Sequence, residues 1–357
     1  MSVTSVEQEQ ETQNPTQRII EETPTTPTEE KVATLSNPAR GTACCVCGGI
    51  AYEPWRRAPD WIMGGWTRYT AVQCARCSTR RLQPRPSVEE MRHAYSAITY
   101  ARAEGEEHNH GLGQRLDGFF ERQADRAVAK YSAFIDIAAG EKPAGNLLDV
   151  GCGDGRFIAA MQSRGWRAEG LETDPVAAEL TRNRTGVAVH EIELQDAHIL
   201  PDTFHMISLL HVLEHVPDPR ATLEAAYRAL APGGMLLLAL PNSRSIEAGI
   251  FGTCWYPLDL PRHFWHFTPH TLTRLLEECG YRVTHPDYFP FLFALQSLRY
   301  AAKSVEGAPA VPPDPSVTRN EIGGWRTRFF LGLLDRSYRW GKWIPGEIME
   351  LAAFKPR

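Results

Sequence analysis

The run Leu147-Leu148-Asp149-Val150-Gly151-Cys152-Gly153-Asp154-Gly155-Arg156-Phe157 is an apolar strand that ends in a carboxylate, bends through three glycines and enters a helical pattern at once. Glycine admits left-handed backbone and lets a ligand approach the main chain closely. The start of the following helix offers unpaired N–H groups and the positive end of its dipole. Glu172 closes the next apolar run, 23 residues beyond Asp149, at the place where an acid accepts both hydroxyls of a ribose. A nucleoside ligand is implied. The dinucleotide fingerprint G-x-G-x-x-G is not met, because Arg156 stands at its third glycine; the loop reads D-x-G-x-G-x-G instead.

Working outward, short apolar runs alternate with helical spacing. Asn146–Val150, Arg167–Leu171, Val187–His190, Met206–Leu210 and Met235–Leu240 read as strands. Phe157, Ile158 and Met161 mark one helix, and Leu223, Ala226, Tyr227 and Leu230 mark another that ends at Pro232-Gly233-Gly234. This alternation predicts an α/β fold with a doubly wound parallel sheet and right-handed crossovers. A further helix is expected over Leu272–Cys279, stopped by Gly280, then a strand over Tyr281–His285. Residues 288–345 read as mostly helical around a loop at 307–324, and Ile348–Phe354 as a returning last strand.

Upstream, residues 1–40 hold seven Glu against Arg18, Lys31 and Arg40, with few large apolar side chains. Such a composition cannot offset the entropy of ordering, so this tail is expected to be disordered. It also holds net −4 of the chain's −5. The remainder is almost neutral, whereas a domain that grips a nucleic-acid backbone usually carries a basic surplus, so no nucleic-acid partner is expected. No apolar run approaches the 18 to 20 residues a membrane helix needs, and MSVTSVEQEQETQ has neither the basic nor the apolar region of a secretory leader; a cytoplasmic location is expected. The organisation that follows is tail 1–40, cysteine module 41–87, helical linker 88–142, core 143–290 and a helical C-terminal region with the last strand, 291–357.

Four of the eight cysteines form two C-x-x-C pairs, Cys44/Cys47 and Cys74/Cys77, with 26 residues between them. Two such knuckles supply four thiolates in a tetrahedral, closed, structural zinc site. Cys45 is spare by spacing, although it is able to exchange with Cys44. Tyr52, Trp55, Trp61, Trp66 and Tyr69 outnumber Arg56, Arg57 and Arg68 between the knuckles, which does not suit a nucleic-acid grip.

The glycine loop resembles motif I of class I S-adenosylmethionine-dependent methyltransferases. Three more segments in the same order are similar to that family: Gly170-Leu171-Glu172-Thr173-Asp174-Pro175, Leu209-Leu210-His211-Val212-Leu213-Glu214-His215-Val216-Pro217-Asp218-Pro219, and Leu230-Ala231-Pro232-Gly233-Gly234-Met235. The resemblance implies a Rossmann-like seven-stranded core and S-adenosylmethionine as cofactor. It places Asp149, Gly151 and Gly153 at the methionyl part, Glu172 at the ribose, the stretch around Glu193 and Leu194 near adenine, and His211 beside the open face of the cofactor, with Gly155 and Thr173 also among the cofactor-binding residues. Phe204-His205 departs from the family's Phe-Asp at the fourth strand, which bears on local packing.

Two segments carry candidate acceptor-side chemistry. His211-x-x-Glu214-His215 places i, i+3 and i+4 side chains on one helical face. Certain ubiquinone-pathway O-methyltransferases carry an acidic E-x-x-[DE]-H there that binds a divalent ion, and this chain has His at the first position. Between Trp255 and Pro269 aromatics surround two histidines, after the fifth strand, where open α/β sheets place their ligand crevice. Arg262-His263-Phe264 resembles the Glu-His-Phe portion of a motif in sugar C-methyltransferases. His263 is the expected general base, with His266 behind it, since neutral imidazole is the common base near pH 7. Tyr256 and Trp265 are open between an acceptor wall and ordinary core. In those methyltransferases a similar cysteine module covers the substrate side. The expected activity is methyl transfer to a small-molecule acceptor, at carbon or oxygen; the alternative is a catalytically silent module that recruits a partner through its zinc ribbon.

Overall fold

The computed structural model describes residues 43–62, 68–87, 89–91, 94–95, 128–129, 131, 135, 144–284, 286–289, 293–305 and 345–357. The acidic tail, the 307–324 loop and most of the 88–139 helical region lie outside them.

Two sheets organise these residues. The larger is built around β4 (Asn146–Val150), followed by α1 (Arg156–Gln162), β5 (Arg167–Leu171), α2 (Pro175–Thr185), β6 (Val189–His190), β7 (Phe204–Leu210), α3 (Pro219–Ala229) and β8 (Leu230–Pro241). After β8 come α4 (Ile246–Phe251), α5 (Pro269–Glu278), β10 (Arg282–Val283), β11 (Asp287–Phe289), α6 (Ala294–Val305) and β12 (Ile348–Phe354). Its order is β10-β12-β8-β7-β4-β5-β6, with β11 also paired to β12. The strands from β6 to β8 run parallel, and β12 enters antiparallel against β8 along its whole length, from Ile348 opposite Pro241 to Phe354 opposite Met235. This is the expected doubly wound sheet, with β11 as an eighth strand. Tyr288 and Phe289 are therefore strand where a helical reading was expected.

Central strands of a sheet covered on both faces must be apolar throughout. Leu147, Leu148, Met206, Ile207, Leu236, Leu237 and Leu238 are indeed buried on both sides of it. Helix starts are set by side chains: Asp174 accepts from Val176 N ahead of α2, Asp218 from Ala221 N ahead of α3, and Thr268 with Thr271 makes a capping box ahead of α5. Several bounds shift by one to five residues, and the shift at α3 changes an element's type. α3 ends at Ala229, and Leu230 already pairs with Phe204 as strand. The Pro232-Gly233-Gly234 turn then falls inside β8 as an irregularity in its register, held by the Gly233 N–H to the Lys355 carbonyl at 2.9 Å.

The smaller sheet is β1 (Tyr52–Pro59), β2 (Arg68–Cys74) and β3 (Arg80–Leu82), all antiparallel, extended by β9 (Trp265–His266) from the far side of the core. Arg80 pairs with His266 and Arg81 with Trp265. Sequence spacing assigns no element to residues 265–266. They form a strand because the cysteine module supplies their partner, about 185 residues away in the chain.

Candidate functional site

The glycine loop depends on its glycines for steric as well as conformational reasons. Gly151 has φ +67°, and a Cβ there meets Val212 Cγ2 at 2.5 Å. Gly155 has φ +77° and abuts Thr181, whose hydroxyl donates to the Gly153 carbonyl at 2.8 Å and so braces the loop from α2. Gly153 N–H donates to Glu172 Oε2 at 2.9 Å and Asp174 N–H to Glu172 Oε1 at 3.0 Å. Glu172 is thus aimed by two main-chain donors, each of its oxygens keeping a free lone pair.

A cavity of about 340 Å³ lies against this carboxylate, lined by Gly151, Glu172, Thr173, Glu193 and Leu194 at one end and by Arg85, Met91, Tyr95, His215 and Phe264 at the other. Of the cofactor residues expected from sequence, Gly151, Glu172, Thr173 and Glu193 reach it. Asp149 does not. It is buried behind the loop, accepts the Ser208 hydroxyl at 2.7 Å, and burial pushes its carboxyl up from 3.8 to about 7. Gly153 and Gly155 shape the loop without lining the cavity. His211 sits at φ +59°, with Nδ1 3.5 Å from Glu214 and Nε2 3.4 Å from the Tyr131 hydroxyl, and is not among the lining residues. His205, at the position of the family's Asp, accepts the Asn146 N–H at 3.2 Å and packs on Gly145.

The histidines form one cluster. His215 reaches the cavity, and His263 lies edge-on behind it with ring centroids 4.5 Å apart. His215 Nδ1 is 3.2 Å from the Arg262 carbonyl and 3.0 Å from the Tyr95 hydroxyl; His263 Nδ1 is 2.8 Å from the Pro257 carbonyl. A carbonyl only accepts, so both Nδ1 atoms carry the proton and both Nε2 atoms keep a bare lone pair when neutral. Burial, then His215 and His266, hold the His263 pKa well below its usual value. His266 is deeper still: its Nε2–H donates to the Leu258 carbonyl at 2.8 Å, and burial lowers it to about 4. Trp265 and Tyr256 are packing residues, the first donating from Nε1 to the Val216 carbonyl, the second stacked on Phe293 at 5.1 Å. Glu214 is buried, and neither carboxylate oxygen has a hydrogen-bond partner. Ligand atoms of Glu214, His215 and His263 lie within 4.8 Å of one another, a group able to hold a cation. Sequence reasoning saw Glu214 and His215 as neighbours but had no signal joining them to His263, 48 positions on.

At the module, the Sγ atoms of Cys44, Cys47, Cys74 and Cys77 converge within 4.8 Å, with Cys44–Cys77 at 3.4 Å and Cys47–Cys74 at 3.5 Å. A tetrahedral zinc with bonds of about 2.3 Å spaces its sulfurs by about 3.8 Å, so the four residues fit that ion. Cys45 is outside the group; its thiol serves Cys44, whose pKa is drawn down to about 4 chiefly by that hydrogen bond.

The parallel sheet order, the glycine loop and an acid at the end of the next strand are features of class I S-adenosylmethionine-dependent methyltransferase domains. Residues 119–286 match the family described as "Methyltransferase domain". Among curated proteins the chain is similar to the ubiquinone biosynthesis O-methyltransferase of Idiomarina loihiensis, 29% identical over 37% of this chain and 59% of that one. It is also similar to that of Pseudomonas paraeruginosa, 38% identical over 29% of this chain and 47% of the other. The chain thus spans roughly half the length of these relatives. Solved structures similar to it include a SAM-dependent methyltransferase from Archaeoglobus fulgidus, 16% identical, covering 65% of this chain and 94% of that one with a TM-score of 0.43. Another is the [4+2]-cyclase SpnF, 16% identical, 76% and 95% covered, TM-score 0.47. Among the described residues no helix is long and apolar enough to cross a membrane.

Proposed function

We propose that this chain transfers a methyl group from S-adenosylmethionine to a small-molecule acceptor, at carbon or oxygen, inside the cavity between Glu172 and His215. The observation that carries this reading is that one cavity is lined by both the Glu172 carboxylate and the His215 imidazole. Glu172 and Thr173 would hold the ribose, Glu193 and Leu194 the adenine, and Gly151 the methionyl side. When bound, the cofactor supplies an activated methyl on sulfur, so the chain's own work is positioning, exclusion of water and proton removal. Met91, Tyr95 and Phe264 form an apolar and aromatic wall for the acceptor. His215 is the ring placed to receive its proton, with His263 held neutral behind it as the second base.

Equilibrium binding of S-adenosylhomocysteine tests the cofactor half. Wild type binds, and Glu172→Ala weakens binding by roughly 10- to 150-fold, from about 1.5 to 3 kcal/mol per charge-assisted hydrogen bond. Undetectable binding by wild type turns the assignment to the silent, partner-recruiting module. On an accepted substrate, His215→Ala or His263→Ala lowers turnover by about a hundredfold or more.

A second reading of the acceptor end is favoured by the buried Glu214 carboxylate, which accepts no hydrogen bond and has His211 Nδ1 at 3.5 Å. Here Glu214, His215 and His263 hold a divalent cation that orients an acceptor oxygen. Titrating Mn²⁺ or Zn²⁺ into protein whose cysteine site is already filled then gives a further equivalent that Glu214→Gln abolishes. A titration that stops at the cysteine site leaves the imidazole reading alone.

A further inference from the structure

Arg262 is the most buried cation among the described residues, about 1% exposed, and every one of its donors is engaged. Nη1 and Nη2 grip Asp60 at 2.9 and 2.7 Å; Nε and Nη2 grip Asp259 Oδ1 at 2.8 and 2.6 Å; Nη1 also reaches the Ala94 carbonyl at 3.3 Å. Asp60 follows β1 of the cysteine module, and Asp259 belongs to the loop that presents the histidines. The guanidinium fork therefore joins two regions that are distant in sequence. A buried bidentate pair is strong in geometry and costly to break, since the partner left behind is an uncompensated charge.

The same residue lies beside the histidine cluster on three sides. Its own carbonyl accepts from His215 Nδ1, the next residue is His263, and the Asp259 carboxylate that it binds lies 3.8 Å from His263 Nε2. Tyr95, whose hydroxyl faces His215, follows the Ala94 carbonyl that Arg262 also holds. Other arginines join the module to the core. Arg220 donates to the Cys45 and Val46 carbonyls of the first knuckle, Arg80 to Ser243, and Arg85 to the Pro217 carbonyl. Beneath them β3 and β9 share a ladder.

We infer that Arg262 is a positioning residue: it fixes the His215–His263 pair by clamping the docked cysteine module to the histidine loop, so that metal in the four-cysteine site orders the acceptor end of the cavity while the cofactor end stands without it. The consequence for methyl transfer rests on the function proposed above; the coupling itself does not. The asymmetry follows from where each end is anchored. Gly151 and Glu172 are held by β4, β5 and α2, within the core. Amides 263–265 are held by Asp259 and Glu214 carbonyls, and residues 265–266 by the module's β3.

The test uses the full chain in four forms: zinc-loaded wild type, wild type stripped by a thiol-directed chelator, Arg262→Lys and Asp60→Asn. Lysine keeps the charge and loses the fork; Asp60→Asn releases the clamp from the module side. Hydrogen exchange, zinc content, histidine ring ¹⁵N spectra and S-adenosylhomocysteine binding are read together. In Arg262→Lys and Asp60→Asn the zinc stays at one per chain, exchange at residues 262–266 rises tenfold or more, and exchange at 147–153 is unchanged. Stripped wild type shows the same exchange pattern. His215, a single Nδ1–H tautomer in loaded wild type, becomes a mixture of tautomers in Arg262→Lys, while S-adenosylhomocysteine affinity stays within about threefold. Unchanged protection at 262–266 in Arg262→Lys or in stripped protein overturns the inference. So does equal loosening at 147–153, which marks general unfolding, or an unaltered His215 tautomer. Failure of loaded wild type to bind S-adenosylhomocysteine sinks the proposed activity and leaves the coupling as measured.

Discussion

The two ends of the cavity are built on different principles. The cofactor end is mostly local: strand, glycine loop and helix are contiguous, the acid that completes it closes the adjacent strand, and Glu172 and Thr181 meet the loop across 19 and 28 residues, with Val212 and Ser208 packing on it from the neighbouring strand's side. The acceptor end is assembled from Arg85, Met91 and Tyr95, then His215, then Phe264, and from a strand ladder between β3 and β9 that closes a loop of about 185 residues. Long closures cost entropy before any contact repays it. A region held that way depends on the module at its edge, whereas the cofactor loop depends chiefly on its own backbone. Four measurements sharpen or break this contrast.

The largest effect is expected at Gly151→Val. A β-branched side chain at φ +67° is strained by about 1 to 3 kcal/mol, and its Cβ would stand 2.5 Å from Val212 Cγ2. S-adenosylhomocysteine binding should fall more than a hundredfold while zinc content holds. Gly153→Ala, where an added Cβ has no atom within 4 Å, should lose far less, and equal losses at both positions contradict the steric account.

Cys74→Ser removes one of four thiolates. Zinc per chain should drop well below one by elemental analysis, and the melting temperature should fall by several degrees or more, because structural zinc binding is itself folding free energy. Retained stoichiometry would mean that another ligand replaces it, with Cys45 the first candidate.

The third measurement is a pH profile of stability. Asp149 is raised from 3.8 to about 7 by burial, so between those values the folded state keeps a proton that the unfolded chain has lost. Stability contributed by this group is fully present below about pH 4 and declines as pH rises toward 7, by at most about 4 kcal/mol. Asp149→Asn should flatten that decline in denaturant titrations. Glu347, raised by burial to about 8, leaves a residual slope of the same sign, and a slope unchanged by Asp149→Asn would show that Asp149 is not its source.

Arg220→Ala should be smallest, about 1 kcal/mol, for lost bonds to two knuckle carbonyls on a partly exposed side chain. Its melting shift should disappear in metal-stripped protein if the brace acts through the docked module.

Much of the core was legible because its signals are short-range. Apolar runs bounded by glycine and proline give β4, β5 and β12 at the expected bounds. The caps that start α2, α3 and α5 are equally local, although apolar spacing alone gives no α2 and starts α5 three residues late, at Leu272. The misreadings lie where a distant segment intervenes: Leu230 joins Phe204 instead of ending a helix, Tyr288 and Phe289 pair with β12, and Trp265-His266 becomes an edge strand of the cysteine module. At the site, the glycine loop and Glu172 could be read from spacing. Ser208 under Asp149, and the meeting of Glu214, His215 and His263, could not, because those side chains come together only through strand order and loop closure.

Taken alone, the order of residues pointed to the doubly wound sheet, the glycine turn beside Glu172 and the four converging thiols, since each is encoded in patterns repeating within a few dozen positions. Which imidazole meets the cavity, which carboxylate is left without a donor, and how Arg262 binds the module to the core were decided only by folding. Those features are distances between residues up to 202 positions apart, and no local propensity specifies such a distance until packing has closed the loops between them.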